Sequence, residues 1–360
     1  MSALTTVILI FSVLGALDWL LGNKFGLGSE FERAFMLFTP MAFSMLGVLV
    51  LAPAFGVWLM PFFEWFYSTF GIDPSIIPAS LFANDMGGMT LAQTVMKNEE
   101  IGNFNAFVVS SMMGCMFSFT IPFALGLVKK EQHKDMFFGM ICGIITIPIG
   151  CFIAGLLCGI GVLDVLLTLL PLIIFAVLLG FALIYLPNVC MKGFAVFGHG
   201  MRLLSIGGLV CAVFTFLTKI ELSQYFDTFE NAAFVCVNAC ATLSGMLPLM
   251  FVVSKILNKP LVALGDKLGI NGHAALALVG CLVSNVMAFS AMERMDKKGV
   301  ALNAAFAVSA AFTFGGHLAL TMAFDGTYVM PMIVGKLIAG ICAVALAAFA
   351  YRGKDVSESA

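Results

Sequence analysis

The sequence predicts an all-α polytopic membrane protein: two inverted repeats, about nine transmembrane helices and two re-entrant hairpins. Three observations lead there: the composition, the length of the apolar runs, and the distribution of lysine and arginine. The 360 residues are 61% hydrophobic and 11% charged, against about 45–50% and about 25% for a soluble domain. A chain this long also exceeds what one soluble core can bury. The composition excludes a soluble enzyme, a nucleic-acid binder and a disordered regulator. A net charge of −2 offers no global field to nucleic acid. The ten cysteines are scattered through apolar stretches without a C-x-x-C pair, so they read as small reduced hydrophobes rather than metal ligands or disulfides. No metal and no cofactor are expected.

A helix needs about 20 mostly apolar residues to cross the hydrocarbon. Runs of that kind lie near 3–22, 34–57, 104–128, 136–160, 162–187, 203–220, 230–254, 300–324 and 329–350. The first lacks a basic leader and a small-residue cleavage site, and is expected to stay as a helix. Two further stretches, 74–96 and 273–294, are interrupted by polar residues, at Asn84-Asp85-Met86-Gly87-Gly88 and at Ser284-Asn285. An amphipathic piece precedes each: Pro61–Tyr67, rich in interfacial aromatics, and Lys255–Lys267, with lysines on one face.

The basic residues choose between eleven spanning helices and nine spans with two re-entrant hairpins. If both interrupted stretches cross, the lysines and arginines divide nine against eight; if both dip and return, fifteen face one side and only Lys97 and Lys219 the other. Cytoplasmic loops carry the positive excess, which favours the re-entrant arrangement, with the N-terminus outside and the C-terminus in the cytoplasm.

The halves resemble each other at an offset of about 198 positions. Phe31-Glu32-Arg33-Ala34 aligns with Phe229-Glu230-Asn231-Ala232, Gly71-Ile72-Asp73 with Gly269-Ile270-Asn271, Asn105-Ala106 with Asn303-Ala304, and the break at Asp85 with that at Asn285. Five spans separate equivalent helices, so the second copy is inverted. The expected organisation is a first repeat over 1–160, a connecting helix and loop over 161–200, a second repeat over 201–351, and a cytoplasmic tail over 352–360. Inverted repeats with binding sites at interrupted helices near the midplane characterise secondary transporters.

Irregular backbone at membrane depth is tolerated only where protein buries it or a wet cavity meets it, so the two breaks are the candidate site. An intramembrane carboxylate is a functional-site hypothesis by default: Asp85 offers acceptor-only chemistry to a cation or ammonium. Asn84, Gly87 and Gly88 free backbone groups beside it. An ion pair with Lys336 is the structural reading of the same aspartate; a lysine neutralising the empty site is also one that a cationic substrate can displace. Ser284 and Asn285 bring neutral hydrogen-bonding groups to the equivalent tip. Ser110 and Ser309, in the helices that follow, read either as small packing residues or as site residues, and His317 as a further polar candidate. Phe82, Phe117 and Phe314 can turn aromatic faces to an ammonium. Asp18 reads as a structural partner for a neighbouring helix. No G-x-S-x-G, H-E-x-x-H or P-loop is present, so neither catalysis nor ATP-driven transport is expected.

Several of these strings resemble a known family. Asp85-Met86-Gly87-Gly88, Ser111-Met112-Met113-Gly114, Gly143–Cys151, Asn303–Phe312 and Pro331–Ile338 are similar to the EutH-type ethanolamine permeases of bacterial ethanolamine-utilisation operons, and the likeness runs over nearly the whole chain. The family pattern has Gly-Asp-His where this chain has Gly315-Gly316-His317, leaving Asp85 as the main anionic candidate. The resemblance implies a bacterial inner-membrane permease for ethanolamine. An alkyl ammonium with a pKa near 10 is almost wholly protonated at neutral pH, so the membrane-permeant fraction falls tenfold per pH unit. Asp85 is expected to take the ammonium and Asn285 or Ser284 the hydroxyl. The interfacial helix, hairpin and interrupted helix also resemble the layout of concentrative nucleoside transporters; by that analogy the hairpins move against a homo-oligomeric scaffold. Facilitated diffusion is the simplest mode, because an inside-negative potential favours cation entry by ~2.3 kcal/mol per 100 mV. The competing readings are an ion-coupled transporter of another small solute, such as a nucleoside or amino acid, and a non-transporting membrane scaffold or sensor.

Overall fold

A computed structural model describes residues 3–357, with side chains up to Tyr351. All its regular elements are helical, and eight helices among the described residues are long and apolar enough to cross a membrane. The first is α1 (Ala3–Leu20), then the bent α2 (Leu27–Trp58). The buried Asp18 carboxylate ties them, accepting from the backbone N–H groups of Phe25 (3.0 Å) and Gly28 (2.9 Å). It thereby satisfies amides that the start of α2 leaves without helical partners. This is the structural role that the sequence suggested.

The short α3 (Met60–Phe70) exposes Phe62, Trp65, Tyr67 and Phe70, the side chains expected of an interfacial helix. Two shorter helices follow, α4 (Ile76–Leu81) and α5 (Gly88–Val95), which pack on each other across the turn between them. Neither is long enough to span the hydrocarbon. The Asp73 carboxylate accepts from the N–H groups of Lys97 and Asn98, both at 2.8 Å, so the chain leaves this pair where it entered. Next comes α6 (Glu99–Leu127), wound as π-helix over Asn105–Gly114 and Met116–Thr120.

Helices α7 (His133–Leu157), α8 (Val162–Tyr185), α9 (Pro187–Thr218) and α10 (Phe229–Leu268) complete the middle of the chain. Two of them outrun their apolar runs. A proline at the first helical position is preorganised for a start, so α9 begins at Pro187 rather than near 203. In α10, Lys255–Lys267 is not a separate amphipathic piece but the continuation of one 40-residue helix. The helix passes through Pro260 and ends at Gly269, in left-handed conformation (φ 68°).

The second short pair, α11 (Gly272–Val283) and α12 (Asn285–Ala291), also packs side by side. Its ends are joined as those of the first pair are: Asp296 Oδ1 accepts from Asn271 N at 2.8 Å, and Asn271 Nδ2 donates to Arg294 O at 2.9 Å. The run 300–324, expected as one span, is two helices, α13 (Lys297–Ala310) and α14 (Gly316–Phe324). The break has a tertiary cause. Phe312 N donates to Cys281 O (3.2 Å) and Phe314 N to Leu282 O (2.8 Å), exchanging helical partners for carbonyls of the neighbouring tip. Among the described residues, the helices long and apolar enough to cross therefore number eight rather than nine. The last helix, α15 (Val329–Ser357), runs into the segment expected as a tail; residues 358–360 lie outside the described residues.

Helices α7, α13 and α15 form the tightest part of the core. A methyl group added at Gly139 would sit 2.0 Å from Ala301 O, and one at Gly150 2.3 Å from Gly335 O. Small residues at such crossings let helix backbones touch, which is how membrane helices associate without a hydrophobic drive. Helices α8 and α9 expose most of their large apolar side chains.

Candidate functional site

Irregular backbone lies inside the helix bundle at the two turns between short helices and at the break over 311–315, which bonds to the second of them. At the first tip, Phe82 leaves the helix in extended conformation and Asn84–Met86 make one 3-10 turn. Gly87, at φ 85°, then starts α5. That φ is costly for any residue with a Cβ. The tip rests on α6: Ala83 N donates to Ser118 Oγ at 2.9 Å. A Cβ on Gly114 would fall 2.0 Å from Phe82 O, and one on Gly88 2.1 Å from the same oxygen. At the second tip, Ser284 Oγ caps α12 by accepting from Val286 N. A Cβ on Gly315 would fall 2.1 Å from Val283 O. The tips are linked across the molecule. Asn285 Nδ2 donates to Thr120 Oγ1 of α6 at 3.2 Å, while the first tip packs against α14.

Polar atoms collect around the tips without full satisfaction. Asn84 and Asn285 are wholly buried; Asn84 Nδ2 and Asn285 Oδ1 have no hydrogen-bond partner. His317, also wholly buried, has an unpartnered Nε2. Lys336 is 1% exposed, and its Nζ donates to Ser111 O at 2.5 Å and lies 3.1 Å from His317 Nδ1. The roles in that pair depend on the His317 tautomer; facing a charged Lys336, which only donates, Nδ1 accepts and Nε2 carries the proton. Asp85 is half-buried beside this group. Among the described residues it forms no ion pair within 4 Å, and the charge it feels is that of Lys336. The lysine that sequence reasoning set against Asp85 is thus seated on a carbonyl and an imidazole instead. Buried polar atoms without partners cost free energy, a cost that hydrogen bonds to a polar guest would offset.

The other candidates fall in different surroundings. Ser110 spends its hydroxyl on the carbonyl of Ala106, while Ser309 is buried with an unpartnered Oγ. The ring of Phe82 lies 6.0 Å from that of Phe197. Phe117 packs 5.1–5.4 Å from Phe175, Phe194 and Phe197, so both rings join an aromatic cluster facing α8 and α9. Phe314 contributes its backbone N–H to the second tip. Ser111, read from the sequence as one of the small mid-span residues of α6, offers its carbonyl to Lys336; sequence reasoning missed Ser118 and Thr120, whose hydroxyls serve the first and second tips. Their shared signal is the π-helical winding of α6, a form frequent at functional sites but without a sequence signature.

Each tip adjoins an opening. A cavity of about 760 Å³ reaches the first tip at Met86 and Ser118 and is walled by Ser44, His199, Arg202 and Ser205 together with apolar side chains. One of about 80 Å³, between Arg33, Phe251 and Val283, adjoins the second tip. No group of three or more metal-ligating side chains occurs among the described residues.

A family model described as ethanolamine utilisation protein, EutH, matches residues 2–350. The chain belongs to that family. The resemblance read from Asp85–Gly88 and the longer strings is borne out. The probable ethanolamine permease EutH of Listeria monocytogenes is 39% identical over 94% of this chain and 91% of its own length. The uncharacterized protein YxeR of Bacillus subtilis is 34% identical over 96% of this chain and 94% of its own. The probable ethanolamine permease EutH of Escherichia coli is 32% identical over 93% and 88%. No solved structure gives a significant match.

Proposed function

We propose that this protein is a permease that facilitates uptake of ethanolamine, bound as its ammonium, into the bacterial cytoplasm for catabolism. Kinship with proteins named ethanolamine permeases supports the substrate. The observation that carries the reading is the lone half-buried carboxylate of Asp85 at an irregular tip, among buried amide and imidazole atoms without partners. Asp85 takes the ammonium by charge-assisted hydrogen bonding. Asn285, its Oδ1 free, accepts the hydroxyl proton of a substrate lying between the tips. Asn84 and His317 have N–H groups to give to the hydroxyl oxygen, and Ser309 a free hydroxyl. Kinship with proteins named permeases supports a transporter rather than an enzyme.

The two short helix pairs are re-entrant hairpins of an inverted repeat in an inner-membrane protein with N-terminus outside and C-terminus inside. The fifteen-to-two division of basic residues supports the orientation. The joined ends of each pair support the hairpins. The repeat draws support from equivalent contacts: Asn98 and Asp296 cap α6 and α13, and Asn105 and Asn303 each donate to the base of the short pair before them. The test is uptake of radiolabelled ethanolamine into proteoliposomes at about pH 5–6, with choline and nucleosides as competitors. Saturable uptake blocked by unlabelled ethanolamine and spared by nucleosides is expected. Uptake no faster than in protein-free vesicles contradicts the assignment.

A further inference from the structure

Resting on the proposed uptake, a second property concerns what happens to charge when the substrate arrives. Lys336 already fills the role of a bound ammonium: its Nζ donates to Ser111 O and lies 3.1 Å from His317 Nδ1. The ionisable groups that face it come from other elements of the fold. They are Asp85 at the first tip, Cys115 on α6, Cys281 beside the second tip, Cys151 on α7 and His317 on α14. On α13 the charged residues, Lys297 and Lys298, stand in its first turn, away from the site. Burial in apolar surroundings disfavours a thiolate more than the neighbouring Lys336 favours it, so the thiols are neutral, and the interior holds one anion for one cation and is balanced while empty. An organic ammonium entering that space leaves a net positive charge in a low-dielectric interior, an arrangement proteins avoid by pairing or neutralising.

We propose that binding of the substrate ammonium expels a proton from Lys336, so that the protein exchanges one proton for each organic cation it carries. The Nζ–H bond breaks, nitrogen keeps the electron pair, and the proton passes to water on the side from which the substrate came. On the far side the substrate leaves and Lys336 is reprotonated there. Cation in and proton out sum to transfer of the neutral amine. The protein therefore equilibrates its substrate without using the membrane potential, against the simplest expectation for an organic cation.

Two measurements on the purified full chain decide this. In proteoliposomes, an inside-negative potential of about 118 mV would drive a cation uniporter to about hundredfold accumulation, at tenfold per ~59 mV; wild type is expected to stay within about twofold of equality. Hundredfold accumulation overturns the exchange and leaves the permease assignment standing. No uptake above protein-free vesicles overturns both. In weakly buffered detergent solution near pH 7, ethanolamine binding to wild type is expected to release about one proton per substrate. Folded Lys336→Gln, with Lys336→Met as its replacement if it does not fold, is expected to bind, release no proton and gain the accumulation driven by the potential. A folded variant that fails to bind, or that still releases a proton, overturns the role of Lys336.

Discussion

The two tips are built alike and charged differently. Both place a carbonyl against a glycine further along the chain, Phe82 O on Gly114 in α6 and Val283 O on Gly315 in the break before α14, at nearly the same separation. At both bases an Asn or Asp caps the helix that follows, Asn98 for α6 and Asp296 for α13. Yet the first tip carries Asp85 and faces a continuous, π-wound α6, while the second carries neutral Ser284 and Asn285 and faces a broken helix. The shared features hold a frame, and the differences divide the work: one end for charge, one for a hydroxyl.

Attacking the shared frame gives the largest effect. Gly114→Ala and Gly315→Ala each drive a methyl group into a backbone carbonyl, and overpacking of this kind costs about 1–3 kcal/mol. Both are expected to lower the thermal unfolding midpoint of detergent-purified protein, and by similar amounts; a loss confined to one would break the equivalence of the tips. Next comes the hydroxyl end. Removing Oδ1 with Asn285→Ala forfeits about 1 kcal/mol of neutral hydrogen bonding, or about fivefold in apparent affinity for ethanolamine. Affinity for ethylamine, which lacks the hydroxyl, is expected to stay as in wild type in the same competition assay. Loss of a side-chain cap costs about 1 kcal/mol, so Asn98→Ala should destabilise by about that amount and Asp296→Ala by more, since its carboxylate also accepts from Asn271 N, neither altering the ethanolamine-to-ethylamine preference.

The smallest effect belongs to the exposed pair Lys129–Glu293 (2.5 Å), which joins the base of the second tip to the end of α6. The hydrogen bond and charge of each partner hold Glu293 below and Lys129 above its ordinary range. Stability from a depressed carboxyl is present above its unfolded value and lost as pH falls through the folded one; that from a raised lysine is lost only as pH rises past its own. Lys129→Ala is thus expected to leave uptake and the unfolding midpoint unchanged between about pH 6 and 9, since exposed pairs contribute little.

What the sequence disclosed follows from range. Apolar length revealed the spans, and the polar interruptions at Asp85 and Asn285 located the tips, because a break in a hydrophobic run is local. The division of 300–324 was not legible. Its cause is the bonding of Phe312 and Phe314 to Cys281 and Leu282, some thirty positions away, and Gly315-Gly316 alone reads as a packing motif. Lys336 was legible as a buried cation, but its seat on Ser111 O was not, since a carbonyl is offered by every residue and only the fold selects one. The continuity of α9 and α10 beyond their apolar runs escaped for a different reason: the fall in hydropathy does not end either helix, and α10 runs on even through Pro260.

The central claim, that charge recognition resides at one tip alone, is tested most directly by the initial rate of ethanolamine uptake at about pH 5–6 for Asp85→Asn in proteoliposomes. A charge-assisted hydrogen bond contributes about 1.5–3 kcal/mol, so loss of the carboxylate is expected to weaken uptake at sub-saturating substrate about ten- to hundredfold. An Asp85→Asn protein that unfolds like wild type and takes up ethanolamine at the wild-type rate would contradict it.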